Sequence, residues 1–192
     1  MTSVTIFGTG NMANAIGGVF AAGGSSVSYI SRDRVGAASV EGDIVVLAVP
    51  HPAVDEIVTT YAEQLAGKTV VDITNPVDFS TFDSLVVPAG SSLTAQIQDK
   101  LPQSSVLKAF NTNFAATLAS GKVGELPTTV LIAGDDIAAK SALISAIEAG
   151  GLDAIDAGSL ARANELEAIG FLQLTLAVGE QIAWAGGFAS IR

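Results

Sequence analysis

The sequence predicts an α/β fold, a doubly wound and mostly parallel sheet with a C-terminal helix, on three observations. Short apolar runs bounded by glycine or proline alternate with helical patterns along the chain. The first run, VTIF, ends in a glycine-rich turn that opens a helix. Hydrophobic residues make up 49% of the chain and charged residues 15%, the balance of strands covered on both faces. Its 192 residues are expected to form one domain over 1–192, with 159–192 a terminal helical segment packed on it or on a partner subunit.

The elements follow in order. Val4 to Phe7 reads as a strand, Asn11 to Ala22 as a helix and Ser26 to Ser31 as a second strand, together a unit of about thirty residues. DIVVLAVP is a buried strand stopped by Pro50, and Val54, Ile57, Val58, Tyr61 and Leu65 recur at helical spacing after it. A strand at Thr69 to Ile73 precedes an irregular stretch, 77–92, punctuated by Pro88 and Gly90. LTAQIQDKL suggests a short helix, SVLKAF and TTVLIAG two strands. The next helix starts at Asp135 or Asp136 and closes at Gly150 and Gly151. A small strand near Leu152 to Ile155 and a long helix from about Leu160 finish the chain.

One connection is short. Only 32–42 separate the second strand from DIVVLAVP, and eleven extended residues reach roughly 36 to 40 Å. Crossing two strand spacings and returning along a strand needs roughly 22 Å, which leaves little room for a helix. The strand Ser26 to Ser31 is therefore expected at the sheet edge.

Composition narrows the function classes. A net charge of −10 with no basic stripe argues against nucleic acid, and makes the positions of the nine Lys and Arg residues informative. Without cysteine there are no disulfides, thiolate nucleophiles or thiolate metal sites. No metal cluster is evident. The apolar run Ala168 to Val178 falls short of the ~20 residues that span a bilayer. No signal peptide is read at the start, so the cytoplasm is the expected location and no membrane partner is expected.

Gly8-Thr9-Gly10-Asn11-Met12-Ala13 is a G-x-G-x-x-[GA] pattern directly after a strand and opening a helix, the context a Rossmann-type dinucleotide fold requires. Gly8 permits the tight turn, Gly10 admits a pyrophosphate to the backbone, and Ala13 lets the helix lie close to the sheet. Asn11 sits at the helix start, where free N–H groups favour an anion. Gly17 and Gly18, costly inside a helix, are expected to serve close packing.

At the end of the second strand, where an acid would hold the 2′-hydroxyl of NAD, the chain reads Ser31-Arg32-Asp33-Arg34. A guanidinium grips a phosphate through two parallel hydrogen bonds and a serine adds a neutral donor, so the expected cofactor is NADP(H). The alternative is that Arg32 and Arg34 are solvated and Asp33 takes the ribose hydroxyls.

GTGNMANAIG, SRDR, LAVP, VVDITNP and especially VLKAFNTNFAATLASG resemble the NADP-binding oxidoreductases related to NADPH:coenzyme F-420 reductase. These carry a dinucleotide domain similar to the oxidoreductase domain of the six-transmembrane metalloreductases. The resemblance covers nearly the whole chain. It implies that NADPH lies across the strand ends and passes hydride to a deazaflavin or flavin ring. By motif, Gly8, Thr9, Gly10, Asn11 and Met12 would line the diphosphate. Thr9, Ser31, Arg32 and Arg34 would surround the 2′-phosphate, and Val49, Pro50 and Asn75 would follow the nicotinamide half.

Hydride transfer between stacked rings needs placement more than acid and base groups. Four residues are nonetheless catalytic candidates. His51, the only histidine, could donate to a ribose or substrate oxygen, or start a helix with a structural hydrogen bond. Lys108 could place a cation near the cleft, or pack its stem and send its amine to solvent. Asn111 and Thr112 could bind the acceptor or the carboxamide, or simply turn the chain. Glu165 and Glu167 are expected to complement a helix dipole. Leu166, Ile169, Leu172, Leu176 and Trp184 suit either the core or a homodimer face. Two rival functions stay open: an NADP(H) sensor without turnover, and a reductase of a small imine or ketone, which would need a proton donor.

Overall fold

The computed structural model describes residues 2–191. The chain runs β1 (Ser3–Phe7), α1 (Asn11–Ala22), β2 (Ser26–Ile30), β3 (Ile44–Leu47), α2 (Val54–Leu65), β4 (Thr69–Asp72), α3 (Leu93–Lys100) and β5 (Ser105–Lys108). It continues through α4 (Ala115–Ser120), a small hairpin of β6 (Lys122–Val123) and β7 (Leu126–Pro127), β8 (Thr129–Ala133), α5 (Ile137–Ala149), β9 (Asp153–Gly158) and α6 (Ala163–Val178). A seven-stranded sheet has the order β2-β1-β3-β4-β5-β8-β9. The first five strands in that order are parallel. β8 meets β5 antiparallel at Lys108 and Ala133, and β9 is parallel to β8.

Pleating sends alternate residues to opposite faces. Val4, Ile6, Val46, Val71 and Leu107 are packed with Ile16 and Phe20 of α1 and Leu143 and Ile147 of α5. Phe7, Val45, Leu47, Val70 and Val106 pack instead with Ile57, Tyr61 and Leu65 of α2 and Ile97 of α3. Each fully buried aliphatic or aromatic side chain contributes about 1.5–3 kcal/mol, so both layers are needed. The first layer follows β1 and the second follows β3, so the crossovers leave these two neighbours toward opposite faces. That reversal opens a crevice at their C-terminal ends.

β2 is the edge strand, as the short connection requires. Segment 32–42 makes the crossover with only a single 3-10 turn, Arg32–Arg34, and Val35, Ala38 and Val40 pack beneath it. Tyr61 Oη accepts from the Gly36 N–H at 2.9 Å and Thr5 Oγ1 from the Gly42 N–H at 2.9 Å, which ties the crossover down.

Three expectations are corrected. The terminal helix stops at Val178, because Gly179 caps it and Glu180 follows with a left-handed φ of 57°, so residues 179–191 are irregular. α4 and the β6–β7 hairpin fill a stretch for which no element was expected. Gly17 does serve close packing, since a Cβ there would lie 1.9 Å from Tyr29 Oη, but one on Gly18 would meet nothing within 4 Å.

Candidate functional site

The glycine turn leaves β1 at the crevice. Gly8 has φ +112°, and a Cβ on it would strike the Ala48 carbonyl oxygen at 2.2 Å, so both turn and strand spacing demand glycine. Gly10 differs: a Cβ there would meet no atom within 4 Å, which leaves its backbone open to an incoming group. Gly10 also occupies the N-cap of α1 without a side-chain cap, so first-turn N–H groups face outward for an anion. Asn14 Nδ2 holds the turn by donating to the Thr9 carbonyl at 3.1 Å, and Ala13 is fully buried against the sheet.

Ser31 is the N-cap of the 3-10 turn at the end of β2, and Arg32, Asp33 and Arg34 are all exposed. Neither guanidinium has an ion pair or hydrogen bond among the described residues, Arg34 acting only through space on Asp33. A Ser31 hydroxyl bond and a backbone N–H hold the Asp33 carboxyl below its usual range. The donors suit a phosphate: two free guanidinium groups beside a serine, next to an open glycine turn. Val49 is half-buried and Pro50 exposed after β3, on the way to Asn75.

Asn75 and Asn111 join across the ends of β4 and β5. Asn111 Nδ2 donates to Asn75 Oδ1 at 2.8 Å and to the Leu166 carbonyl at 2.7 Å, while Asn75 Nδ2 donates to the Asn111 carbonyl at 2.9 Å. Phe110 makes this pairing possible by adopting φ 62°, a left-handed conformation that costs a non-glycine residue about 1–3 kcal/mol. Helix α6 presses on the pair through Gly170, whose Cβ would stand 2.3 Å from Asn75 Oδ1.

Beside this pair lies a cavity of about 420 Å³, bounded by Asn11 and Met12 of α1, Ile73 and Asn75, Asn111 and Asn113, the start of α4, and Leu174 and Trp184. Among the described residues, four asparagines line it and no acid or base does. The buried Oδ1 atoms of Asn111 and Asn113 have no hydrogen-bond partner among the described residues. Thr112 is buried too, but it borders a separate small cleft against Phe188, and its carbonyl accepts from Gln173.

His51 and Lys108 lie elsewhere. His51 borders a different cavity between α2 and α3, stacks on Phe79 at 5.4 Å, and its buried Nδ1 has no partner among the described residues, so the expected structural hydrogen bond is not made at that atom. Burial lowers its pKa, keeping the ring neutral at pH 7.

The expectation that the Lys108 amine reaches solvent fails. Its amine neither reaches solvent nor enters the cavity; it is fully buried 2.7 Å from Asp72 Oδ2, 2.7 Å from the Thr74 carbonyl and 3.0 Å from Glu167 Oε1. Glu167 is no exposed partner of its own helix dipole. It is fully buried and accepts from the Leu93 N–H at 3.0 Å and more weakly from the Thr94 N–H, capping α3 instead. Burial raises its pKa, and Lys108 opposes that rise. Glu165, by contrast, is exposed and pairs with Arg162 at 2.7 Å. This charge cluster was missed; a lysine inside an apolar strand was the available signal, because a buried ammonium demands a buried acid.

The apolar residues of the C-terminal region also divide. Leu166 is core, whereas Ile169 and Leu172 are 37% and 52% exposed. Leu176 is half-buried, and Trp184, beyond the helix, lines the cavity. Among the described residues no helix is long and apolar enough to cross a membrane and no group of metal-ligating side chains occurs.

No family model matches the chain. F420-dependent NADP reductase of Methanocaldococcus jannaschii is 31% identical over 136 residues, 69% of this chain and 60% of that protein. Metalloreductase STEAP3 of Rattus norvegicus is 36% identical over 108 residues, 56% of this chain and 21% of that protein. The chain thus spans less than two thirds of either relative. A solved structure from Arthrobacter sp. FB24, a presumptive F420-dependent NADP reductase, superposes with a TM-score of 0.85 at 26% identity and full coverage of both chains. The imine reductase of Streptomyces aurantiacus, with a TM-score of 0.65 at 15% identity over 93% of this chain and 62% of its own, shares the fold. The chain is thus similar to F420-dependent NADP reductases in sequence over about two thirds of its length and in architecture over all of it.

Proposed function

We propose that the protein is an NADP(H)-dependent oxidoreductase that transfers hydride between the nicotinamide and a deazaflavin or flavin-like acceptor. The observation that carries this reading is the pair of unpaired guanidinium groups, Arg32 and Arg34, standing where an NAD-selective protein would place an acid. In this reading the first-turn N–H groups of α1 and the open face of Gly10 receive the diphosphate. Ser31, Arg32 and Arg34, with Thr9, hold the 2′-phosphate. Val49 and Pro50 follow the chain of the cofactor toward Asn75. Bound NADPH would supply a hydride to the acceptor ring, and the reduced ring, once released into solvent, would take up its balancing proton there.

The residues around the cavity position rings and exclude solvent. Asparagine amides donate and accept without changing charge, so they orient a carboxamide or ring carbonyl across a wide pH range. Reduction of a small imine or ketone would require a proton donor in the cavity, and neither His51 nor Lys108 lines it. The exposed Ile169, Leu172 and Val178 of α6 form the face through which we place a homodimer.

The test follows NADPH oxidation with a deazaflavin, FMN, a quinone and a ferric chelate. Turnover with the tricyclic rings supports the proposal. Tight NADPH binding with none of them accelerated would instead favour a sensor.

A further inference from the structure

The cavity beside the asparagine pair is lined in part by the segment that follows α6. After α6 ends, the chain turns back at Glu180, with the Gln181 N–H donating to the Leu176 carbonyl at 2.8 Å. It is fastened again at Phe188, whose N–H donates to Gln173 Oε1 at 3.1 Å. Gln173 is itself buried in α6, and its amide reaches the Thr112 carbonyl at 3.2 Å, so the strap is anchored to the turn between β5 and α4. Between the two anchors lies Trp184, in a tight turn closed by the Gly186 N–H on the Ala183 carbonyl at 2.8 Å.

The indole packs on Phe114 with ring centroids 5.0 Å apart and planes inclined by 53°. It remains 53% exposed, so about half of its surface is left for another group. It shares the cavity with Met12, which continues directly from the glycine turn, and with Leu174. The walls are therefore aromatic and aliphatic, the polar groups are neutral amides, and the volume of about 420 Å³ lies within the ~300–1,000 Å³ of small-molecule sites. An uncharged planar ring matches that lining, because stacking needs only a π-face and the amides can meet ring carbonyl and imide groups.

We infer that Trp184 is the binding residue for the hydride acceptor: its free face holds an uncharged tricyclic ring inside this cavity, with the strap 179–191 setting the height of the indole. The inference rests on the proposed function for its setting, but it is tested by binding and does not need turnover. Trp184 is the only tryptophan, so all tryptophan emission reports on this position.

The protein is saturated with NADP⁺ and titrated with riboflavin and with deazariboflavin by calorimetry, alongside tryptophan fluorescence. The expected result is quenching on ring binding, about tenfold or more weaker ring binding in Trp184→Ala, most of it restored in Trp184→Phe, and unchanged NADP⁺ affinity in both. Equal ring affinity in Trp184→Ala, binding without quenching, or no ring binding to the wild type would overturn the assignment. So would a parallel loss of NADP⁺ and ring affinity in both variants, which would mark a structural role. Ring binding on Trp184 without hydride transfer would refute the proposed function and leave the inference standing. Turnover untouched by Trp184→Ala would do the reverse.

Discussion

Replacing Lys108 by methionine should expose how the C-terminal helix is fixed over the ends of β4 and β5. The ammonium donates to Asp72 and Thr74 and lies 3.0 Å from Glu167, and all three charged side chains are fully buried. Methionine keeps the bulk of the stem but removes the only cation, leaving two carboxylates that share Thr94 Oγ1, 2.8 Å from Asp72 Oδ2 and 3.4 Å from Glu167 Oε1. Removing one partner of a buried ion pair costs about 3–5 kcal/mol, a large part of the ~5–15 kcal/mol that holds a domain together. With a urea slope of about 2 kcal/mol/M, the unfolding midpoint should fall by roughly 2 M at pH 7.5. The penalty should shrink toward pH 5. Burial raises the Glu167 carboxyl above its unfolded value, so its contribution to stability is complete below the unfolded pKa and is lost as pH rises through the folded one. Without Lys108 that folded pKa rises further and the window widens. Lys108→Met/Glu167→Gln should therefore be more stable than Lys108→Met alone at neutral pH. A loss under about 1 kcal/mol, or one that does not vary with pH, would refute the argument that these charges are mutually compensated.

Other expectations are local. Arg32→Ala should raise the KM for NADPH tenfold or more and leave NADH nearly unchanged, since a charge-assisted contact contributes roughly 1.5–3 kcal/mol; steady-state kinetics with both cofactors decides it. Gly10→Ala should leave thermal unfolding within about 0.5 kcal/mol of wild type while weakening NADPH, because the added methyl meets no protein atom and would stand in the space proposed for the diphosphate. Gly8→Ala should instead unfold the protein more readily, given its φ of +112° and the Ala48 carbonyl 2.2 Å from the new methyl. His51→Gln should preserve kcat/KM and its pH profile between about pH 6 and 8, since the ring lies outside the asparagine cavity; a changed profile would restore histidine to the chemistry.

The sequence made some of this legible for definite reasons. The edge position of β2 followed from the reach of eleven residues, and the glycine turn from steric demands that one residue type meets. The direction of β8 was not readable. Between β5 and β8 the chain passes through α4 and a hairpin rather than one crossover helix, so periodicity gives no orientation. α4 itself spans six residues, too few for a helical repeat, although Gly121 with φ +72° closes it. Helix α6 misled because it inverts the usual pattern: it buries Glu167 and Gln173 and exposes Leu172 and Val178. Its inward face is chosen by what it meets, a buried lysine, the asparagine pair over Gly170 and the Thr112 carbonyl, and those partners are distant in sequence.

Selection between the two dinucleotides at the end of β2 is the claim on which the function turns. Isothermal calorimetry of the wild-type protein with NADPH and with NADH tests it directly. The free Arg32 and Arg34 guanidinium groups beside Ser31 require NADPH to bind at least about tenfold more tightly, with the difference shrinking as salt is added. Equal affinities, or a preference that ignores ionic strength, would contradict it.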